Sequence, residues 1–363
     1  MHINRTLVMA TLLATATFFT PARAETVNLT FLLTNDIYNV ENDTDRGGFA
    51  RLNAVVKAER AKGGTVIYAH AGDLISPALL SGLDLGEHTI ALTNLAPPDI
   101  FTPGNHEFDF GEQVFRKRMS EAKFPLFAAN LRDRNGQPLP GFKDTEIRNF
   151  GGLKVGFVGL LADDSAVKSN PGSNLVFTPT FETALAKAKE LKAAGADMIV
   201  AVAHAKREVD LRLYESGAFD IILSGDDHDL ALLYDGHTVL AESMTEANYV
   251  TAIDVKADVT EKDGKRRVTW WPDFRVIDTV KNLATQDFGI KTHSKFLKAL
   301  FPLNENGLHS RLIPRHAIPS HQVDGTSGAH GLIVTSGLVK MRRRCACNQA
   351  QSGAAKSHLV RNL

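Results

Sequence analysis

Five short clusters in this chain carry residue types that can hold a metal ion or move a proton. Asp36 and Tyr38 lie in Thr34-Asn35-Asp36-Ile37-Tyr38. Asp73 lies in Gly72-Asp73-Leu74-Ile75-Ser76-Pro77. Asn105, His106 and Asp109 lie in Gly104-Asn105-His106-Glu107-Phe108-Asp109. His204 follows the apolar run Met198 to Ala203, and Asp226 and His228 close Ser224-Gly225-Asp226-Asp227-His228. These donors are oxygen and imidazole with no sulfur, a set that suits zinc, manganese, iron or cobalt. Two such ions about 4 Å apart polarise a phosphoryl oxygen and turn water into hydroxide near neutral pH.

Each residue alone has a plainer role. An Asp at a strand end caps a helix or opens a turn, Asn105 after Gly104 shapes a tight turn, and a lone His after a strand is commonly structural. What argues for chemistry is where the clusters fall. Val27 to Leu33 reads as a buried strand ending in Thr34-Asn35-Asp36. Thr65 to Ala69 runs into His70-Ala71-Gly72-Asp73, and Asp99 to Thr102 into Pro103-Gly104-Asn105-His106. Asp197 to Ala203 ends at His204, and Phe219 to Leu223 at Ser224-Gly225-Asp226. Ligands gather beyond strand C-termini in α/β sheets, whereas chance would scatter the same residues over strand bodies and helix faces.

The elements between them alternate accordingly. Phe49 to Ala61 has helical spacing, with Leu52, Val55 and Val56 on one face and Gly63-Gly64 as its stop. Gly111 to Ala122 is a predicted helix, Pro125 to Ala129 and Leu153 to Leu161 are strands, and Thr180 to Ala194 is a helix capped by Gly195. Short, polar-alternating, hairpin-like strands follow to Val276. His70, His88 and His237 have no comparable cluster and read as structural. Lys187, Lys189 and Lys192 read as a solvated helix face, and Arg51 as a residue that packs or ion-pairs on its own helix.

Taken in order, Asp-x-Tyr, Gly-Asp-x-x-x-Pro, Gly-Asn-His-Glu-Phe-Asp, His and Gly-Asp-x-His resemble the five-block signature of the calcineurin-like metallophosphoesterases. Gly47-Gly48-Phe49-Ala50-Arg51 and the form Gly-Asn-His-Glu-Phe-Asp resemble the 5′-nucleotidase branch. The likeness covers roughly residues 26 to 280. It implies a four-layer α/β/β/α sandwich, two mixed sheets flanked by helices, with the site at the strand ends. It implies two divalent or mixed-valence metal ions (Mn, Zn, Fe or Co) and hydrolysis of a small-molecule phosphoester, a nucleotide or 2′,3′-cyclic phosphodiester, by a metal-bound hydroxide. Asp73 would bridge both ions. Asp36 and His228 would hold the first, with Tyr38 where the family usually has His. Asn105 and His204 would hold the second, with Asp226 where the family usually has the first His of Gly-His-x-His. His106 would contact the substrate phosphate and Asp109 would orient His106. Both departures replace a neutral imidazole by an anionic or potentially anionic oxygen, which favours harder metals such as iron or manganese. Thiosulfate-ester hydrolysis and a non-catalytic metal- or phosphate-binding remnant are the competing expectations.

The ends of the chain differ in character from its middle. Arg5, the apolar stretch Leu7 to Phe19 and Ala22-Arg23-Ala24 read as a secretory signal over residues 1–24, shorter than the ~20 apolar residues a membrane span needs. The expected mature protein begins at Glu25 in a bacterial periplasm, with no membrane attachment after cleavage. The catalytic domain is expected over 25–280 and a linker helix over 281–301. Residues 25–301 carry a net −8, whereas 302–363 hold two acids against eight Lys or Arg, a net +6. That tail shows little periodicity, which suggests disorder or a lost reading frame. Nothing in it resembles the family's C-terminal nucleotide-binding domain. The whole chain has a formal net charge of zero, so it shows no nucleic-acid footprint, and a monomer is expected. Cys345 and Cys347, one residue apart, are poorly placed to pair with each other. With no cysteine elsewhere, disulfides and thiolate metal sites are excluded from the core.

Overall fold

A computed structural model describes residues 23–41, 45–262 and 265–280. The expected signal segment before residue 23, the linker helix, the basic tail and both cysteines lie outside the described residues. The first half of the chain runs β1 (Arg23–Thr34), α1 (Phe49–Ala61), β2 (Thr65–His70), α2 (Ser81–Asp84), α3 (Glu87–Thr93), β3 (Ile100–Phe101), a 3-10 turn over Asn105–Phe108, α4 (Gly111–Glu121), β4 (Leu126–Phe127), β5 (Leu131–Asp133), β6 (Phe142–Lys143) and β7 (Thr145–Phe150). The second half runs β8 (Leu153–Leu161), α5 (Ser165–Lys168), β9 (Leu175–Phe177), α6 (Thr180–Ala193), β10 (Met198–His204), α7 (Arg207–Glu215), β11 (Ile221–Ser224), β12 (Leu230–Tyr234), β13 (Val239–Ser243), β14 (Tyr249–Lys262) and β15 (Lys265–Asp278).

Two mixed sheets form, in the orders β15-β14-β1-β2-β3-β4-β6 and β12-β13-β11-β10-β8-β7. In the first, β1, β2 and β3 are parallel, while β14 is antiparallel to β1. In the second, β8, β10, β11 and β13 are parallel, with β7 and β12 antiparallel at the edges. Strand alternation decides what each face meets. Leu29, Phe31 and Leu33 of β1 point inward against Val155, Phe157, Val200, Val202, Ile221 and Leu223 of the second sheet. Leu32, Tyr68 and Phe101 face the other way, onto Phe49, Leu52 and Val56 of α1, Ile90 of α3 and Phe115 of α4. On the far side of the second sheet, Val158, Leu160, Ala201 and Ile222 meet Leu213 of α7 and the α6 stripe Ala184, Ala188 and Leu191, spaced for one helix face. The layers are therefore helix, sheet, sheet, helix. Strands buried on both faces need continuous apolar runs, and all seven residues of β10 are buried.

Two regions differ from the sequence reading. The strands expected over 99–102 and 125–129 shorten to two residues each, because the chain turns away into the loops that carry Asn105 and Asn130. The short strands expected toward Val276 include one long hairpin, β14 and β15, of fourteen residues each. Pro272 sits in β15, an edge strand where a missing N–H costs no ladder bond.

Candidate metal centre

The parallel strands of both sheets end at the same place. Asp36 N donates to Gly72 O and Ala71 N to Thr34 O, which ties the end of β1 to the end of β2. His204, at the end of β10, donates from Nδ1 to Ala71 O at 2.7 Å. That bond fixes the tautomer and turns Nε2 toward Asp73 Oδ2 (3.3 Å) and Asp226 Oδ1 (3.5 Å), the usual arrangement of an imidazole that presents one nitrogen to a cation.

Such close approach depends on glycine. A Cβ at Gly104 would lie 2.0 Å from Asp73 Oδ1, and one at Gly72 would lie 2.7 Å from His204 Nδ1. At Gly225 it would fall 2.7 Å from Ala71 O and 2.9 Å from Asp36 Oδ2. The backbone itself is strained at Asp36, Asp73, Asp226 and His228, all with positive φ, a conformation that costs a non-glycine residue and clusters at functional sites.

Around this point one donor from each of Asp36, Asp73 and His204 falls within 4.8 Å of the others, all three residues being buried. The Tyr38 hydroxyl lies 3.1 Å from Asp36 Oδ1, 3.3 Å from Asp73 Oδ2 and 3.2 Å from His228 Nε2. His228 Nε2 is also 3.1 Å from Asp36 Oδ1. On the other side, the side chains of Asn105 and Asp226 meet at 3.0 Å. The Asn105 amide N–H donates to Asp226 Oδ1 there, and its oxygen accepts from His106 N at 3.3 Å. Three carboxylates, two imidazoles, an amide and a phenol thus converge on one small volume, and hard oxygen donors mixed with imidazole fit a divalent transition metal.

The titrating groups respond to this crowding. Burial and the Asp73 and Asp36 carboxylates push the Tyr38 phenol well above its ordinary value. Burial opposes charge on His204, but the Asp73 and Asp226 carboxylates outweigh it and raise the imidazole. For Asp226, burial acts upward, while the His204 hydrogen bond and charge and the Lys168 ammonium hold the carboxyl well below its ordinary range. His106 stands at the mouth. Its Nδ1 meets Asp109 Oδ2 at 2.6 Å, its ring packs edge-on against Tyr38, and its Nε2 is 3.9 Å from Asp73 Oδ2. Burial lowers its basicity, but Asp109 and Asp73 prevail and raise it to about 9.

All nine residues singled out in the sequence come together here. Several neighbours were not legible. Glu107, fully buried, accepts from the N–H groups of Asp73, Leu74, Ile75 and Gly104 and so staples two of the loops together. It lay inside the Gly-Asn-His-Glu motif and could have been suspected. Asn35 donates to Asp36 Oδ2 at 2.7 Å and to Met244 O. Glu246 accepts from the backbone of Tyr38 and Asn39. Glu242 accepts from Asp227 N and Asp229 N while pairing with Arg207, which shapes the loop of Asp226 and His228. Lys168 places its ammonium 3.0 Å from each oxygen of Asp226. The residues read as structural keep that role. His70 is buried against Phe101, with its basicity lowered to about 3 by burial. His88 Nδ1 bonds Asp84, His237 sits in an exposed turn, and Arg51 donates to Gly47 O. Lys189 and Lys192 are solvated, whereas Lys187 pairs with Asp144 and Glu190. A cleft of about 790 Å³ lined by Tyr214, Phe219, Asp220 and Trp270 opens at the opposite end of the second sheet and takes no part in this centre.

The calcineurin-like phosphoesterase family matches residues 29–230, more than half of the chain, and the chain belongs to it. It is 32% identical over 193 residues to a NAD 5′-nucleotidase of Haemophilus influenzae, covering 52% of this chain and 32% of that protein. Its fold is similar to that of a 5′-nucleotidase precursor from Thermus thermophilus, with a TM-score of 0.64, 21% identity, and 75% of this chain and 59% of the other covered. It is also similar to that of the sulfate thiohydrolase SoxB of Thermus thermophilus, at a TM-score of 0.61 and 20% identity over 75% of this chain and 60% of the other. The chain spans about a third of the length of the first curated relatives it matches. Among the described residues no helix is long and apolar enough to cross a membrane.

Proposed function

We propose that this chain is an exported phosphohydrolase whose centre holds two divalent ions and cleaves a small phosphoester, a nucleotide in the first instance. The observation that carries this reading is the convergence of Asp36, Asp73 and His204 from three separate strand ends onto one buried point. Asp36, Tyr38 and His228 would hold one ion, Asn105, His204 and Asp226 the other, and Asp73 would serve both. Ions bound there acidify water and polarise a phosphoryl oxygen. The protein contributes geometry: Glu107 fixes the spacing of the Asp73 and Asn105 loops, and Ala71 O keeps His204 in the tautomer that offers Nε2. His106, kept cationic by Asp109 at neutral pH, faces the charge that develops on the phosphate. A leader cleaved after Ala24 would leave β1 paired with β14 from Glu25 onward; N-terminal sequencing of periplasmic material that begins at Met1 would refute export with cleavage.

Turnover of p-nitrophenyl phosphate and a nucleotide panel, with bound metal measured on the same sample, tests the reaction. Asp73→Asn is expected to lose both ions and essentially all turnover. A variant that keeps two ions and near-normal activity would refute the assignment. Faster turnover of a thiosulfate ester than of any phosphoester would refute the substrate class.

A further inference from the structure

Asp226 stands where the family resemblance leads one to expect an imidazole, so the centre carries one negative charge more than a His would give it. The structure compensates that charge from an element outside every motif. Lys168, the last residue of α5, lies 58 positions from Asp226 in sequence. Its Nζ is 3.0 Å from Asp226 Oδ1 and 3.0 Å from Oδ2. Oδ1 is the same oxygen that faces Asn105 at 3.0 Å and His204 Nε2 at 3.5 Å. The ammonium therefore draws on the carboxylate that the second ion would need.

Lys168 also has somewhere else to go. Asp164 Oδ1, one helical turn back, is 3.7 Å from the same nitrogen, while Asp164 Oδ2 holds Lys206 Nζ at 2.5 Å. A lysine at an exposed position, on a four-carbon stem, can pass between two carboxylates this close with little backbone change. We infer that Lys168 is a tethered cation competing with the second divalent ion for Asp226, so that this ion is the weaker and more exchangeable of the two. The inference rests on the two-ion reading above. A divalent ion at Asp226 displaces the ammonium toward Asp164, and loss of the ion lets it return. No bond is made or broken beyond this exchange of ion pairs.

Manganese titration by calorimetry, with metal content after dialysis, reads the competition directly. Wild type is expected to show one tight and one weaker ion. Lys168→Met should tighten the weaker ion roughly three- to fivefold, the scale of one solvent-accessible ion pair, and leave the tight one unchanged. Lys168→Arg, which keeps the charge, should behave as wild type. Asp164→Asn removes the alternative partner, so it should weaken the second ion further; this holds the inference open to test even if the Met variant does not fold. In an Asp226→Asn background Lys168→Met should have no effect on either ion. Two equally tight ions in wild type, or a second ion unchanged or weaker in Lys168→Met, would overturn the competition. Unchanged ion affinities with weaker inhibition by inorganic phosphate would also overturn it and give the ammonium to the substrate. A wild-type protein that binds no divalent ion would overturn the two-ion reading itself, and this inference with it.

Discussion

At the scale of single residues, under the proposed function some groups of the centre would hold ions and others would meet the substrate. His106 belongs to the second kind. Its backbone N–H donates to Asp73 Oδ1 and its Nδ1 is engaged by Asp109, so Nε2 remains to donate toward the mouth. His106→Asn is expected to leave metal content intact and to lower turnover by about 10²–10³, the loss of one transition-state donor. Metal loss alongside activity would instead make His106 an ion ligand. The nine residues were legible because their clusters follow apolar runs, and Asp73, Asn105 and Asp226 each come directly after a glycine that the close packing requires. Lys168, Glu242 and Arg207 were not legible. Lys168 and Arg207 reach the centre or its supporting loops from helices whose ends carry no motif, and Glu242 lies within an apolar-flanked strand. A contact between residues 58 apart has no local signal.

At the scale of elements, the long hairpin packs on the helix layer through Val250, Ala252 and Ile277, and one polar side chain clamps it there. Arg275 of β15 bonds both oxygens of Asp254 on β14, at 2.5 and 2.9 Å, and both oxygens of Glu59 on α1, at 3.0 and 3.1 Å. Glu59 is nearly buried, while Arg275 and Asp254 are each about a third exposed. Solvent screening therefore limits what the clamp is worth, and Arg275→Met is expected to cost about 1 kcal/mol. The sign with pH follows from the acids. Burial acts to raise both Glu59 and Asp254, but the bonds from Arg275 outweigh it and hold both below their ordinary values. The stability is present above the ordinary carboxylate range and is lost as pH falls through the lowered values. Thermal melts of the two proteins should differ most near neutrality and converge in acid below about pH 4; a constant difference across that range would count against the clamp. The same hairpin marks a limit of sequence reading. Its alternation announced strands, but their length was set by pairing with β1, which no local pattern reports. The helices α3 and α7 escaped for a related reason, since short segments owe their helicity to packing more than to propensity.

At the scale of the whole molecule, the catalytic layers close before the basic tail begins. Every residue assigned to the centre lies between Asp36 and His228, and among the described residues the last strand of either sheet ends at Asp278, on an edge. Thr279 then pins the chain: its Oγ1 donates to Ala247 O at 2.6 Å and accepts from Gly47 N at 2.9 Å. The 244–247 loop it fastens also buttresses Asp36 through Thr245 and Glu246. Among the described residues, the last strand is thus tied off beside the site. A protein ending at Phe301 is expected to retain its ions, its melting temperature and its hydrolysis of p-nitrophenyl phosphate. Little preference among nucleotides is expected in either form. Under the proposed function the ions and His106 would engage the phosphate that all nucleotides share, and discrimination needs contacts to the parts that differ. Limited proteolysis, melting curves and a nucleotide panel on both proteins test this. A protease-resistant segment within 302–363, or a strong preference for one nucleotide that disappears on truncation, would show that the tail completes a substrate site which the two sheets alone do not form.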